Sequence, residues 1–135
     1  MPPKLTSLDH LVLTVRSIDE TVAFYQGVLG MNAKQFPAAD GTVRWALSFG
    51  QQKINLHESG SEFKPHSETP VPGSADLCFL SDTELSDWQG HLDHHGVAVI
   101  EGPVARSGAM GPIRSIYIRD PDKNLIEIAN TVSRR

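Results

Sequence analysis

The sequence predicts an α+β chain of two tandem βαβββ modules, with mixed sheets that form a cup and helices outside. Three observations carry this expectation. An alternating strand pattern near the start of the chain restarts halfway along it, each start is followed by a helical pattern, and the two halves keep a constant phase.

From Asp9 to Val15, Leu11, Leu13 and Val15 alternate with His10, Val12 and Thr14, the pattern of a half-buried strand. A helix is expected next. Asp19 stands near its start, Val22, Phe24, Tyr25, Val28 and Leu29 give the apolar stripe, and Gly30 ends it. Strands follow over about 31–37, 42–49 and 52–58, with turns at 38–41 and 50–52. Residues 59–73 are polar and rich in proline, and read as a linker. The pattern then restarts. Ala75 to Leu80 alternates; Leu85, Trp88 and Leu92 mark a second helix that Gly96 closes; Val97 to Ile100 reads as a strand. Gly102 to Pro112 reads as a long loop, and the last two strands occupy Ile113–Arg119 and Asn124–Asn130, joined at Asp120-Pro121-Asp122-Lys123. The organisation expected is one domain over 1–135, with modules at about 5–58 and 74–131.

The two halves stay in register. His10 and Asp76 are 66 positions apart, as are Gly30 and Gly96, while Asn55 and Glu127 are 72 apart within matching apolar frames. A slip of one residue would move a strand's side chains to the opposite face. His10 and Asp76, and likewise Asn55 and Glu127, are therefore counterparts on the same face of related strands.

Composition narrows the function. The 135 residues are 39% hydrophobic, which is enough for a core. A net charge of -4 with no basic stripe argues against a nucleic-acid binder. No apolar run reaches the roughly 20 residues of a membrane span. The opening Met1-Pro2-Pro3-Lys4 lacks a leader pattern and Cys78 is the single cysteine, so a cytoplasmic location is expected.

His10, Asp76 and Glu127 each sit among apolar residues, where an unpaired charge is costly. A hydrogen bond, an opposite charge or a metal is needed to offset it. One imidazole and two carboxylates suit a hard divalent cation such as Mn, Fe, Ni or Mg better than a thiolate zinc site. Asn55 and His57 share one strand face, so either can add a ligand, or His57 can hold substrate. The bland readings are a hydrogen-bonded structural His10, a turn-capping Asp76 and a solvated Glu127. His91, His94 and His95, at helical spacing, read as surface residues at a helix end. Cys78 shares strand parity with Asp76 and reads as a small apolar filler that points into the cup, within reach of substrate. Arg106, in a glycine-flanked segment, is a candidate for an anionic substrate group.

Residues 9–15 (DHLVLTV), 24–31 (FYQGVLGM) and 118–130 (IRDPDKNLIEIAN) resemble the vicinal-oxygen-chelate superfamily, which includes glyoxalases, bleomycin-resistance proteins and dioxygenases. The resemblance covers nearly the whole chain. Residues 53–58 (KINLHE), 72–79 (PGSADLCF) and 101–111 (EGPVARSGAMG) resemble more closely the glyoxalase-domain-containing protein 5 group and its bacterial virulence-associated relatives. This resemblance implies a divalent metal (Ni, Mn, Fe, Zn or Mg) held by His10, Asn55, Asp76 and Glu127, with Asp76 standing where histidine is usual and Asn55 where Glu or Gln is usual. It implies a homodimer and a glyoxalase I-like lyase. That enzyme would act through a chelated enediolate on the hemithioacetal of a 2-oxoaldehyde and a thiol, with Glu127 and Asp76 as candidate bases. Two alternatives belong to the same fold: an Fe(II) ring-cleaving dioxygenase using His10, His57 and Glu127, and a non-catalytic small-molecule-binding protein. Lys123 replaces the glycine usual in the closing turn, where a left-handed conformation is expected.

Overall fold

The computed structural model describes residues Pro2 to Val132. It divides into two compact units, with the boundary between Pro72 and Gly73. Each unit contains one helix and one four-stranded sheet, an α+β architecture of tandem βαβββ modules.

The first unit runs β1 (His10–Val15), α1 (Ile18–Gly27), β2 (Asn32–Pro37), β3 (Val43–Phe49) and β4 (Gln52–Glu58). The strand order is β1-β4-β3-β2, with β1 parallel to β4 and the other pairs antiparallel. Ser17 is the N-cap of α1, its hydroxyl accepting from Glu20 N–H at 3.1 Å, and Asp19 and Glu20 complement the positive end of the helix. Gly30 takes φ 74, which lets the chain turn off the helix. Leu13, Val15, Tyr25, Leu47, Ile54 and Leu56 form the core. The opposite face of the sheet carries His10, Val12 and Thr14 beside Lys53, Asn55 and His57.

The second unit repeats this plan with β5 (Asp76–Leu80), α2 (Leu85–His94), β6 (Glu101–Gly108), β7 (Gly111–Arg119) and β8 (Leu125–Thr131). Its strand order is β5-β8-β7-β6, again with the first and last strands parallel. Val12 lies opposite Asn55 in the first unit, and Cys78 lies opposite Glu127 in the second. The phase read from the sequence is thus the phase of the ladders. Among the described residues, no helix is long and apolar enough to cross a membrane.

Three expectations need correction. Residues 97–100 form no strand, and 102–112 are not a loop: β6 and β7 make a hairpin around Ala109 and Met110. Ladder pairing of β6 with β7, which is itself held against β8, overrides the glycines and prolines there. Pro103 is tolerated because β6 is the sheet edge and its ladder shifts between Glu101 and Val104. The linker is also less idle than its composition suggests. Phe63 packs edge-on against His57 at 5.3 Å between ring centroids and beneath the Arg44 guanidinium at 3.9 Å.

Two asparagines fasten the second unit. Asn124 is fully buried; its Oδ1 accepts from Ala75 N–H at 2.9 Å, and its Nδ2 donates to Asp120 Oδ2 at 2.8 Å. These bonds tie the closing turn to the entrance of β5. Lys123 adopts the left-handed conformation expected of it, with φ 70. Glu84, the N-cap of α2, makes no capping bond through its side chain. Asn130 on β8 supplies that function, accepting from Leu85 N–H at 2.9 Å and donating to the carbonyls of Ser81 and Thr83. Replacing Asn130 with Ala removes all three bonds, and a stability loss of about 2–3 kcal/mol is expected. Urea unfolding would measure the loss, and amide exchange should accelerate first in the opening turn of α2.

Candidate functional site

The second unit holds a cavity of about 490 Å³ against its open sheet face, and Cys78, Arg106 and Glu127 all line it. Parity places them there. On β8, Ile126 and Ile128 point to the core, which leaves Glu127 on the other face beside Cys78 of β5 and Tyr117 of β7. Arg106 reaches the same face from the edge strand β6. Leu80, Met110, Pro112 and Val132 make the remaining wall largely apolar.

Glu127 is half-buried, and its Oε2 accepts the hydroxyl hydrogen of Ser115. This bond, together with a hydrogen bond from the Cys78 thiol to the same carboxylate, fixes the Glu127 rotamer. Across the cavity, Arg106 Nε donates to the Tyr117 hydroxyl at 2.9 Å, Nη1 donates to the Ala105 carbonyl at 3.0 Å, and Nη2 lies 3.6 Å from Glu101. The guanidinium is therefore positioned by three separate groups. Sequence reasoning missed Ser115 and Tyr117. Their signal is alternation on β7, where both fall on the face opposite Ile116 and Ile118.

Desolvation, then the charge of Glu127 and a hydrogen bond to it, then Asp76, push the Cys78 thiol up to about 11. The group stays protonated at neutral pH and is a poor nucleophile, but the residue is exposed on the open face rather than packed as the small apolar filler expected.

The sequence expects His10, Asp76 and Glu127 to be buried together, and this premise holds only in part. His10 and Asp76 are exposed; His10 pairs through Nδ1 with Asp9 Oδ1 at 2.8 Å, so its Nε2 is the nitrogen left for another partner. The donors implied by the resemblance are divided between the units, His10, Asn55 and His57 in the first and Asp76 and Glu127 in the second. Among the described residues, no group of three His, Cys, Asp or Glu side chains gathers closely enough to hold a metal ion. The histidines of α2 stand on its exposed end, His91 and His95 with ring centroids 4.5 Å apart.

In the first unit, Asn55 Oδ1 and His57 Nδ1 are buried without a hydrogen-bond partner. Such orphaned atoms are uncommon in native proteins and call for an explanation. Burial, with the Arg44 charge second, lowers the His57 pKa from its ordinary value of 6.5.

The sequence profile of the glyoxalase/bleomycin resistance protein/dioxygenase superfamily matches residues 7–128. The chain belongs to this superfamily. It is 55% identical over 124 residues to the glyoxalase domain-containing protein RDO1 of Mycosarcoma maydis, a match covering 92% of this chain and 68% of that one. It is 52% identical over 125 residues to the virulence protein STM3117 of Salmonella typhimurium, covering 93% and 84%. An integron cassette protein from the mobile metagenome of V. cholerae superposes with a TM-score of 0.91 at 53% identity, covering 98% of this chain and all of that structure.

Two outcomes are expected from these environments. At pH ~8, Cys78 should react with a thiol reagent on the order of a hundredfold more slowly than a free cysteine, and Glu127→Gln should speed it. Between its depressed pKa and 6.5, His57 binds its proton in the unfolded chain but not in the folded one. Stability should therefore fall as pH drops below 6.5, and His57→Gln should flatten this slope in urea titrations of metal-free protein.

Proposed function

We propose that this member of the superfamily, grouping with the glyoxalase-domain-containing protein 5 type, is a metal-dependent glyoxalase I-like lyase. Its substrate is the hemithioacetal of a 2-oxoaldehyde and a thiol such as glutathione. The observation that carries the reading is the shared cavity of Glu127 and Arg106, a carboxylate anchored at one oxygen opposite a positioned guanidinium.

The reaction is an isomerisation. A proton leaves the carbon that bears the thiol and one is delivered to the neighbouring carbon, while the hydroxyl proton passes from the first carbon's oxygen to the second's, giving a thioester of a 2-hydroxy acid with no net change in atoms. Glu127 removes and returns the carbon-bound proton. Because Ser115 occupies Oε2, the carboxylate keeps its aim through both transfers. Arg106 binds an anionic end of the thiol and so sets where the reacting carbons lie. Leu80, Met110 and Val132, all exposed, offer apolar surface to the carbon skeleton of the substrate. Asp76, on the same strand face as Cys78, is the second candidate base.

The residues that would hold a divalent metal are His10, Asn55, Asp76 and Glu127, with His57 as a further donor. The free His10 Nε2 and the orphaned Asn55 Oδ1 fit such a demand, and a set dominated by oxygen fits a hard cation. When bound, the metal would act as a Lewis acid toward two adjacent substrate oxygens. A homodimer and a cytoplasmic location accompany this reading as proposals.

A second reading has one observation in its favour. The wall of the Glu127 cavity is mostly apolar, as a bleomycin-resistance-like binding protein would require.

Metal-loaded protein given methylglyoxal and glutathione should form thioester. Glu127→Gln should lower kcat by roughly 10²–10⁴-fold, and Arg106→Gln should mainly raise KM. Folded protein that yields no thioester with Ni, Mn, Fe, Zn or Mg, yet still binds an apolar ligand in both variants, would decide for the binding protein.

A further inference from the structure

The first unit has a cavity of its own, of about 470 Å³, walled by Val12, Thr14, His57, Pro65, His66 and Ser67. Of this lining the lyase reading names only His57, as a further metal donor; the inference below concerns that side chain in metal-free protein and stands whether or not the lyase reading holds.

Three features make the cavity a built site. His57 is only 6% exposed, and its Nδ1 is sealed from solvent with no partner. A neutral imidazole carries one N–H, and sealing that N–H away from any acceptor is costly. The proton therefore belongs on Nε2, and the ring edge that meets the cavity is a donor. Thr14 lies directly opposite His57 across the parallel ladder, so its hydroxyl is a second donor on the same face. His66 Nδ1 lies 2.7 Å from the Ser67 carbonyl, which only accepts, so Nδ1 carries the proton and Nε2 is left as an acceptor in the neutral ring.

The charges around His57 are Arg44, Glu62 and His66. The Arg44 guanidinium is stacked on Phe63, and its Nε is buried without an acceptor. Glu62 is engaged by Gly60 N–H at 2.9 Å, and Arg44 acts on His57 more strongly than Glu62 does. The surroundings thus favour one negative charge. Val12 and Pro65 add apolar surface that a bare inorganic anion would not use.

We propose that this cavity binds a small organic monocarboxylate. Thr14 and His57 donate to its oxygens within the field of Arg44, and a short hydrocarbon body lies against Val12 and Pro65.

Calorimetry and ring-proton NMR on metal-stripped, chelator-free full chain test this without reference to turnover. Propanoate and benzoate should bind saturably and shift the His57 resonances, whereas propanamide should bind about tenfold more weakly or less. Thr14→Val and Arg44→Gln should each weaken propanoate by about tenfold. Thr14→Val nearly preserves shape, so it remains informative if Arg44→Gln unfolds. The proposal is overturned if propanoate shows no saturable binding, if propanamide binds equally, if inorganic phosphate competes as well as benzoate does, or if folded Thr14→Val keeps full affinity. Loss of lyase activity with carboxylate binding intact would defeat the enzyme reading alone.

Discussion

The parallel pairing of the first and last strand in each unit is the constraint on which the arrangement depends. Parallel neighbours need a crossover, and here α1 or α2 together with two antiparallel strands supplies it. The register then decides chemistry. Because Cys78 pairs with Glu127, the carboxylate stands on the open face while Ile126 and Ile128 enter the core. A slip of one residue would bury the carboxylate and expose two isoleucines. The bond from Ala75 N–H to Asn124 Oδ1, backed by Asp120, holds this pairing at its entrance. In the first unit, Gln52 Nε2 reaches the Leu8 carbonyl at the corresponding end.

The closing DPDKN segment can now be understood as structural rather than catalytic. Asp120 accepts from the backbone N–H groups of Asp122 and Asn124 and from the Asn124 side chain. Buried polar atoms with their bonds made give a turn of one shape. That turn delivers β8, and with it Glu127, at a defined height against β5.

The two cavities occupy related places in the repeat. Val12, Thr14 and His57 line one; their counterparts by spacing are Cys78, Leu80 and Ala129, and the first two line the other. Asn55 likewise corresponds to Glu127. One backbone plan therefore presents an imidazole and a hydroxyl in the first unit and a carboxylate in the second. The difference comes from side chains on the open face and from the segments that wall each cavity, residues 65–67 in the first and the β6–β7 hairpin in the second. The helix-facing residues are apolar in both halves because each must bury a sheet against its helix.

Alternation and turn chemistry were enough to read every strand but β6, the two helices and the phase linking His10 to Asp76 and Asn55 to Glu127, while the left-handed Lys123 followed from the resemblance of the closing turn. These features are local, or they follow from strict period-2 geometry, which assigns each side chain to a face whatever lies across from it. The β6–β7 hairpin, the capping of α2 by Asn130, the folding of Phe63 under Arg44 and the exposure of His10 and Asp76 were decided only in the tertiary structure. The Asn130 cap and the Phe63–Arg44 contact depend on segments distant in the chain, and the hairpin on the support β8 gives β7. Periodicity states which way a side chain points, but hydrogen-bond partners and solvent access are set by whatever the folded chain brings opposite it.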